Sequence, residues 1–243
     1  MSDNEVITRI TGPDRVRMRP AVIFGSKDRE GVLNCVKSLC SVFFVEARLT
    51  FSQEMRITIS KDNEVEILSF DRGLILDDTI INSKPAWYWI FCDFFPSPRE
   101  AGLKLSEECR QNYVSLFGEF EGDTGELHLP YMEFCFVQYA SEYMYVESLR
   151  DCAMRSLRFR KGYPDGELSK GVSGCDNHTL IRFRADKEVF ENLDFSSDEL
   201  GKYLEKKCSE CENFRCELRD ERGENVKIVT FCSKLVYRIS VAI

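Results

Sequence analysis

Residues 15–26 read Arg-Val-Arg-Met-Arg-Pro-Ala-Val-Ile-Phe-Gly-Ser, a basic stretch that turns at a proline. Downstream, apolar residues recur at helical spacing from Glu30 to Leu49, which predicts a long helix. A candidate strand pair follows and ends in Asp71-Arg72-Gly73. The basic turn, the helix and a hairpin that runs into an Arg-Gly loop together decide the fold of this chain.

The hairpin is predicted from alternation of apolar and polar residues. Apolar side chains at Met55, Ile57 and Ile59 alternate with polar ones, a polar turn covers 61–63, and a second strand begins at Val65. Further strands are predicted at 143–149, 153–159, 179–184, 215–219 and 226–231. Helices are predicted near 107–116 and from a capping signal at 195–199 to about residue 208. Helices on one face of a mixed, mostly antiparallel sheet make a two-layer α+β sandwich.

Composition sets limits on the class of protein. The chain has 243 residues, 43% of them hydrophobic, and no apolar run near the ~18 residues that a membrane span needs. Its first residues are polar, without the apolar stretch of a secretory signal. Eleven cysteines, an odd number, are typical of reduced thiols in a chain of this length. These features predict a cytoplasmic protein with no membrane partner.

The charge bears on nucleic-acid binding. A net charge of -8 argues against direct DNA binding, which needs clustered lysine and arginine to neutralise phosphates. A nucleic-acid mimic that works through an acidic face remains open, although it rests on charge alone and solubility explains the same number.

Residues 15–26 resemble the opening of the ATPase domain of the gyrase B and topoisomerase IV B subunits, in the gyrase–histidine kinase–MutL ATPase superfamily. There the segment reads Val-Arg-Lys-Arg-Pro-Gly-Met-Tyr-Ile-Gly. The chain follows the family pattern without a gap from Gly31 to Gly73, again from residue 140 to 162, and a third time from 179 to 222. Three patches in the right order imply the gyrase-B-type ATPase fold.

The resemblance also implies a domain organisation. Residues 1–14 correspond to an N-terminal arm and 15–243 to a single degenerate ATPase domain, in which 77–130 is a divergent region. No transducer or DNA-cleavage domain is expected.

The family's chemistry is altered at the matching positions. Ser38 stands where the family has the glutamate that orients water, and Val42 where it has the asparagine that holds magnesium. A serine hydroxyl, with a pKa far above neutrality, cannot act as a general base, and an isopropyl group cannot coordinate a hard cation. Ser69 replaces the adenine-reading aspartate, and Asp71 replaces the first glycine of the loop.

Other positions are retained or replaced around the same pocket. The match places residues 127–133, Leu-His-Leu-Pro-Tyr-Met-Glu, where the family has its glycine-rich ATP lid. Glu46 and Arg72 are retained and are expected to pair across the pocket mouth. The resemblance thus implies a vestigial nucleotide pocket with no catalytic residue and no metal ligand, formed by Ser38, Val42, Glu46, Ser69, Asp71, Arg72, Gly73 and Thr179. Its space is expected to be filled by Val42, Phe43, Phe70 and residues from 127–136.

Two hypotheses of function follow. The leading one is a non-catalytic interaction or regulatory protein without a cofactor, whose protein partner is a gyrase-like enzyme or a second copy of the chain. The alternative is an ATP-binding component of a type II DNA topoisomerase, with ATP and magnesium held by substitute residues.

Two smaller motifs have a functional and a structural interpretation each. Cys208, Cys211 and Cys216 have the spacing of half a zinc site, but buried thiols explain them without a fourth ligand. The aromatic segment 87–95 is either a partner surface or part of the core, and filling of the lost pocket favours the core.

Overall fold

The computed structural model describes residues 11–77, 79–81, 84–92, 132–233 and 236–237. The helices in these ranges are α1 (Gly12–Met18), α2 (Pro20–Phe24), α3 (Arg29–Arg48), α4 (Ala86–Phe91), α5 (Met132–Tyr139) and α6 (Ser197–Ser209). The strands are β1 (Glu54–Ile59), β2 (Val65–Phe70), β3 (Thr79–Ile81), β4 (Lys84–Pro85), β5 (Ser141–Arg150), β6 (Ala153–Arg160), β7 (Tyr163–Pro164), β8 (Ser169–Val172), β9 (His178–Ala185), β10 (Arg215–Asp220), β11 (Lys227–Cys232) and β12 (Val236–Tyr237).

Ten of the described strands form one sheet. Its order is β12-β11-β10-β1-β2-β9-β5-β6-β7, with β8 also paired to β6, while β3 and β4 form a separate pair. β1 and β10 run parallel, and the other pairs described in the large sheet are antiparallel. The prediction of a mixed, mostly antiparallel sheet is confirmed.

The core lies between one face of this sheet and the helices. Ile57 of β1 pairs with Ile67 of β2, which pairs with Ile181 of β9, and all three side chains are fully buried. The apolar stripe of α3, including Leu39 and Phe43, is buried in the same cluster. Removing these side chains from water is the main stabilising contribution to the fold. The predicted two-layer α+β sandwich is therefore correct.

The long helix begins and ends with recognisable caps. The side chain of Asp28 accepts from the backbone N–H of Arg29 at the N-terminus. At the C-terminus Thr50 has φ 64, and the N–H of Phe51 donates to the carbonyl of Glu46 over 2.9 Å. This is a Schellman motif with threonine at the position that glycine usually occupies. It reverses the chain and brings Phe51 back toward Glu46.

The first helix begins earlier in the chain than the predicted end of the N-terminal arm. The predicted N-terminal arm covers 1–14, but helix α1 begins at Gly12, where the Thr11 side chain accepts from the N–H of Asp14. Residues 1–10 and the predicted helix near 107–116 lie outside the described residues. A proline in the first turn suits a helix start, because that position needs no N–H donor.

In the part of the chain that the structure describes, no helix has both the length and the apolar character needed to cross a membrane.

Candidate functional site

A small cavity lies at the end of the sheet where α3, the loop after β2 and α5 meet. Ten of the residues that the structure describes line it: Val42, Phe43, Glu46, Asp71, Arg72, Gly73, Leu74, Phe134, Arg150 and Thr179. The cavity volume is about 10 Å³. That is roughly the space of one water molecule, whereas small-molecule pockets measure about 300–1,000 Å³.

Asp71 is the buried carboxylate of this cavity. Its Oδ1 accepts from the Thr179 hydroxyl over 2.9 Å and from the Gly73 N–H over 2.8 Å. Burial raises the pKa of Asp71 to about 6, opposed by these hydrogen bonds and reinforced by the nearby Glu46 carboxylate. At neutral pH the side chain is mainly ionised, and its Oδ1 already accepts two hydrogen bonds from its neighbours.

Glu46 and Arg72 form a bidentate ion pair at the cavity rim. Arg72 Nε donates to Glu46 Oε2 over 3.1 Å, and Arg72 Nη2 donates to Glu46 Oε1 over 3.0 Å. The guanidinium carbon lies 3.8 Å from the centroid of the Phe51 ring, within the range of a cation–π contact. The Schellman motif of α3 places both Glu46 and Phe51 against Arg72. The pair predicted from the sequence is present.

Gly73 brings the loop after β2 directly onto the end of β5. Its φ is +74, and a Cβ there would lie 2.4 Å from the backbone oxygen of Leu149. A side chain is therefore excluded both by backbone conformation and by space. Arg150 Nη1 donates to the Gly73 carbonyl over 3.2 Å and closes the same side of the cavity.

Phe134 of α5 occupies the centre of the region. Its side chain is fully buried, with ring centroids 6.0 Å from Phe43 and 5.3 Å from Phe91, which itself lies 5.3 Å from Phe159. The aromatic segment thus contributes Phe91 to the core, the favoured of its two interpretations. Residues 93–95 of that segment lie outside the described residues.

Six of the eight residues predicted for the pocket line this cavity: Val42, Glu46, Asp71, Arg72, Gly73 and Thr179. Ser69 is fully buried beside it and shares a hydrogen bond of 3.2 Å with Ser52. Ser38 does not join them. It lines a separate open groove of about 400 Å³, together with residues such as Lys37, Ser41 and Tyr203.

The expected pocket plugs are partly correct. Val42 and Phe43 line the cavity, and Phe134 falls within the predicted range 127–136. Phe70 is wrong as a plug, because it stands on the opposite face of the sheet with the Arg56 guanidinium 4.9 Å from its ring. The alternation of β2 explains this, since Val65, Ile67 and Ser69 are the buried positions.

The sequence reasoning missed Leu74 and Arg150 as lining residues. Arg150 belongs to a segment that matches the family, but its approach to Gly73 depends on the pairing of distant strands. Of the predicted lid, 127–131 lie outside the described residues, and Met132 and Glu133 open helix α5. Burial raises the pKa of Glu133, whose Oε2 has no hydrogen-bond partner within the described ranges.

The cysteine motif forms part of the core. Cys208, Cys211 and Cys216 are buried free thiols. Burial raises the pKa of Cys216 well above its ordinary value, with a hydrogen bond to Cys208 adding to the effect. No group of three or more histidine, cysteine, aspartate or glutamate side chains in the described ranges is arranged to hold a metal ion.

Comparison with curated proteins relates the chain to the B subunits of type II topoisomerases. No family model matches it. It is 24% identical over 218 residues to the B subunit of the type 2 topoisomerase of Aquifex aeolicus, a match that covers 90% of this chain and 25% of that protein. It is 26% identical to the B subunit of DNA topoisomerase 4 of Enterococcus faecalis, covering 91% and 30%. For the B subunit of DNA gyrase of Thermotoga maritima the identity is 25%, covering 80% and 28%.

Comparison of structures gives the same relation for the fold. The 43K ATPase domain of Thermus thermophilus gyrase B, solved in complex with an aminocoumarin, superposes with a TM-score of 0.71 at 19% identity. The match covers 93% of this chain and 52% of that structure. The chain therefore resembles the gyrase-B-type ATPase domain in sequence and fold, and it spans about a quarter to a third of the length of these curated relatives.

Proposed function

We propose that this chain is a non-catalytic interaction or regulatory protein on a gyrase-B-type ATPase fold that no longer binds or hydrolyses ATP. The observation that carries the proposal is the filled pocket. Phe134, Phe43 and Val42 reduce the cavity at the end of the sheet to about 10 Å³. A nucleotide could enter only if α5 and its aromatic contacts were displaced.

The donor set also does not fit Mg·ATP. Val42 offers no oxygen at the position where the family holds its magnesium ion, and Ser38 lies in another groove. Two carboxylates remain, but Glu46 is held by Arg72, and Asp71 accepts from Thr179 and Gly73. Coordination through Glu46 would have to break its bidentate pair with Arg72, which leaves Asp71 as the one carboxylate of the described lining that a hard cation could reach. We therefore propose that the chain uses no cofactor.

A gyrase-B-type fold that has lost ATP binding and hydrolysis favours a role in protein association. We propose a protein partner, either a gyrase-like enzyme or a second copy of the chain, and no direct contact with DNA or a membrane. Eight of the described cysteines are free thiols, namely Cys35, Cys40, Cys152, Cys175, Cys208, Cys211, Cys216 and Cys232, which supports a cytoplasmic, reducing compartment.

Steady-state phosphate release from ATP tests the proposal. The purified chain is expected to release phosphate at the rate of the buffer alone, and Ser38→Ala and Asp71→Asn are expected to give the same rate. A gyrase B ATPase domain serves as the positive control. Release above background that either substitution abolishes would overturn the proposal, since a contaminating ATPase would not respond to a change in this chain. That result would favour the ATP-dependent topoisomerase component.

A further inference from the structure

Two of the ten described cysteines differ from the rest in exposure. Cys152 and Cys175 are exposed, whereas six of the others are buried and two are half-buried. Burial raises the pKa of the Cys35 and Cys40 thiols. Because the thiolate is the reactive form, buried thiols of this kind are inert. Among the described cysteines, an oxidant in solution therefore meets Cys152 and Cys175 first.

The two exposed thiols lie on adjoining loops. Cys152 is in the two-residue turn between β5 and β6, where Arg150 pairs with Ala153. The N–H of Ser173 donates to the carbonyl of Cys152 over 3.1 Å. The side-chain oxygen of Asn177 accepts from the N–H of Asp151 over 2.9 Å. Both ends of the loop 173–177 are thus attached to adjacent residues of one turn.

Cys175 is the middle residue of that loop. Two residues of extended chain span at most about 7 Å, so its Cα lies within that distance of the Cα atoms of both Ser173 and Asn177. A disulfide needs the Cα atoms of Cys152 and Cys175 about 4.4–6.8 Å apart, a separation that the loop 173–177 has to adopt when the bond forms. A Cβ on Gly174 would meet no atom of the described residues within 4 Å, so the loop has open space in which to adjust.

The backbone at Cys152 offers no local reason for a cysteine. Asp151 has φ 51 and Cys152 has φ 65, the paired left-handed conformation of a type I′ hairpin turn. Asn-Gly and Asp-Gly are preferred in such turns, because a side chain at the second position is strained. A strained residue at an exposed turn points to a role for its side chain.

We infer that Cys152 and Cys175 form a reversible disulfide that fastens the β8–β9 loop to the β5–β6 turn. A low-molecular-weight disulfide, such as glutathione disulfide, is the oxidant. One protein thiolate attacks it and releases one small thiol, and the second thiolate displaces another from the mixed disulfide. Two S–H bonds are lost and one S–S bond forms, while two electrons and two protons pass to the small thiols.

The disulfide would act on the end of the sheet that carries the candidate site. Arg150 immediately precedes the turn, and Thr179 follows the loop as the second residue of β9. Both residues line the cavity. Oxidation would therefore join the two segments that lead into the cavity wall and restrict their movement relative to each other.

Peptide mapping of the oxidised full-length chain tests this inference. The folded protein is equilibrated with glutathione disulfide, free thiols are alkylated, and the digest is analysed by mass spectrometry. The expected product is one peptide pair linked through Cys152 and Cys175, two hydrogen atoms lighter than the reduced pair. On a non-reducing gel the oxidised protein should migrate as a monomer, and dithiothreitol should remove the link. Hydrogen exchange of amides in 149–153 and 173–179 is expected to slow on oxidation.

Variants separate pairing from general oxidation. Cys152→Ser and Cys175→Ser should each abolish the linked peptide and leave the remaining thiol glutathionylated. The control Cys232→Ser, at a half-buried cysteine, should leave the link intact. The inference is wrong if the wild-type chain carries two separate glutathione adducts at these positions, if both thiols stay free, or if either links to another cysteine or another chain.

Discussion

Two opposing groups of effects act on the ionisation of the Asp71 carboxyl group. Burial and the charge of Glu46 disfavour its ionised form, while hydrogen bonds from Gly73 and Thr179 favour it. Burial dominates and raises the pKa to about 6. The unfolded chain would ionise the same group near its ordinary value of 3.8.

This difference predicts how stability depends on pH. Between about pH 4 and pH 6 the folded protein binds more protons at Asp71 than the unfolded chain does. The contribution of Asp71 to the free energy of unfolding is therefore fully present below about pH 4 and is lost as the pH rises through 6. The loss amounts to roughly 2–3 kcal/mol. Asp71→Asn keeps the acceptor oxygen without the charge. The free energy of unfolding of Asp71→Asn minus that of wild type should therefore increase by about that amount as the pH rises from 4 to 7.5.

Urea denaturation of both proteins across this pH range provides the measurement. Asp165→Asn, at an exposed aspartate, controls for the removal of any carboxyl group. A difference between Asp71→Asn and wild type that does not change with pH would show that Asp71 is not buried as described.

The Arg72 pair makes a second prediction at this scale. Arg72→Ala removes two hydrogen bonds to Glu46 and the contact with Phe51, and it leaves the largely buried Glu46 carboxylate unpaired. The expected cost is about 1–3 kcal/mol in the free energy of unfolding. Arg158→Ala, at an exposed arginine of β6, should cost less than about 0.5 kcal/mol. Equal effects of the two substitutions, measured in urea at pH 7.5, would contradict the arrangement.

Individual side chains were predictable where strand parity or family position fixes them, and less so elsewhere. Glu46 and Arg72 pair as expected. Phe70 could have been excluded as a plug by the alternation of β2 alone, since Ser69 beside it faces the core. The separation of Ser38 from Val42 depends on how α2 and α6 flank α3, which no local pattern contains.

At the scale of elements, α5 determines whether the cavity is open or filled. Phe134 connects α3, through Phe43, to α4, through Phe91. Phe134→Ala is expected to destabilise the protein by about 3–5 kcal/mol, because a buried aromatic ring leaves a void that the surroundings refill only in part. Met132→Ala, at an exposed position of the same helix, should cost less than about 0.5 kcal/mol. The free energies of unfolding of the two variants are compared by thermal or urea denaturation.

Opening this space should not restore nucleotide binding. Phe134→Ala removes a plug but supplies no oxygen at Val42, so the variant is expected to remain without affinity for Mg·ATP.

A loss of stability as small as that of Met132→Ala would show that Phe134 does not fill the region.

The boundaries of strongly periodic elements followed from the sequence. The helix predicted for Glu30–Leu49 is observed at Arg29–Arg48, and the hairpin and the Ser196-capped helix are also found as predicted. The short helices α2 and α4 were not predicted. They have five and six residues, too few for a periodic pattern, and such helices are stabilised by packing rather than by propensity.

For the whole molecule, the family resemblance predicted the fold of the sheet, but the size of the cavity depends on packing that sequence positions do not reveal. The assembly of the chain follows from the proposed loss of ATP. Without a nucleotide to close a lid, its oligomeric state should not respond to ATP. Sedimentation equilibrium should give the same mass with and without Mg·ATP, whether monomer or dimer. A mass that doubles only when nucleotide is added would defeat this prediction.

A filled pocket that does not accept ATP is the basis of the proposed function, and isothermal titration calorimetry with Mg·ATP measures this property. A gyrase B ATPase domain titrated under the same conditions provides the positive control. We expect no saturable heat for this chain, for Phe134→Ala or for Asp71→Asn. A saturable, magnesium-dependent isotherm with micromolar affinity for the wild-type chain would contradict the proposal, most clearly if Asp71→Asn removed the signal.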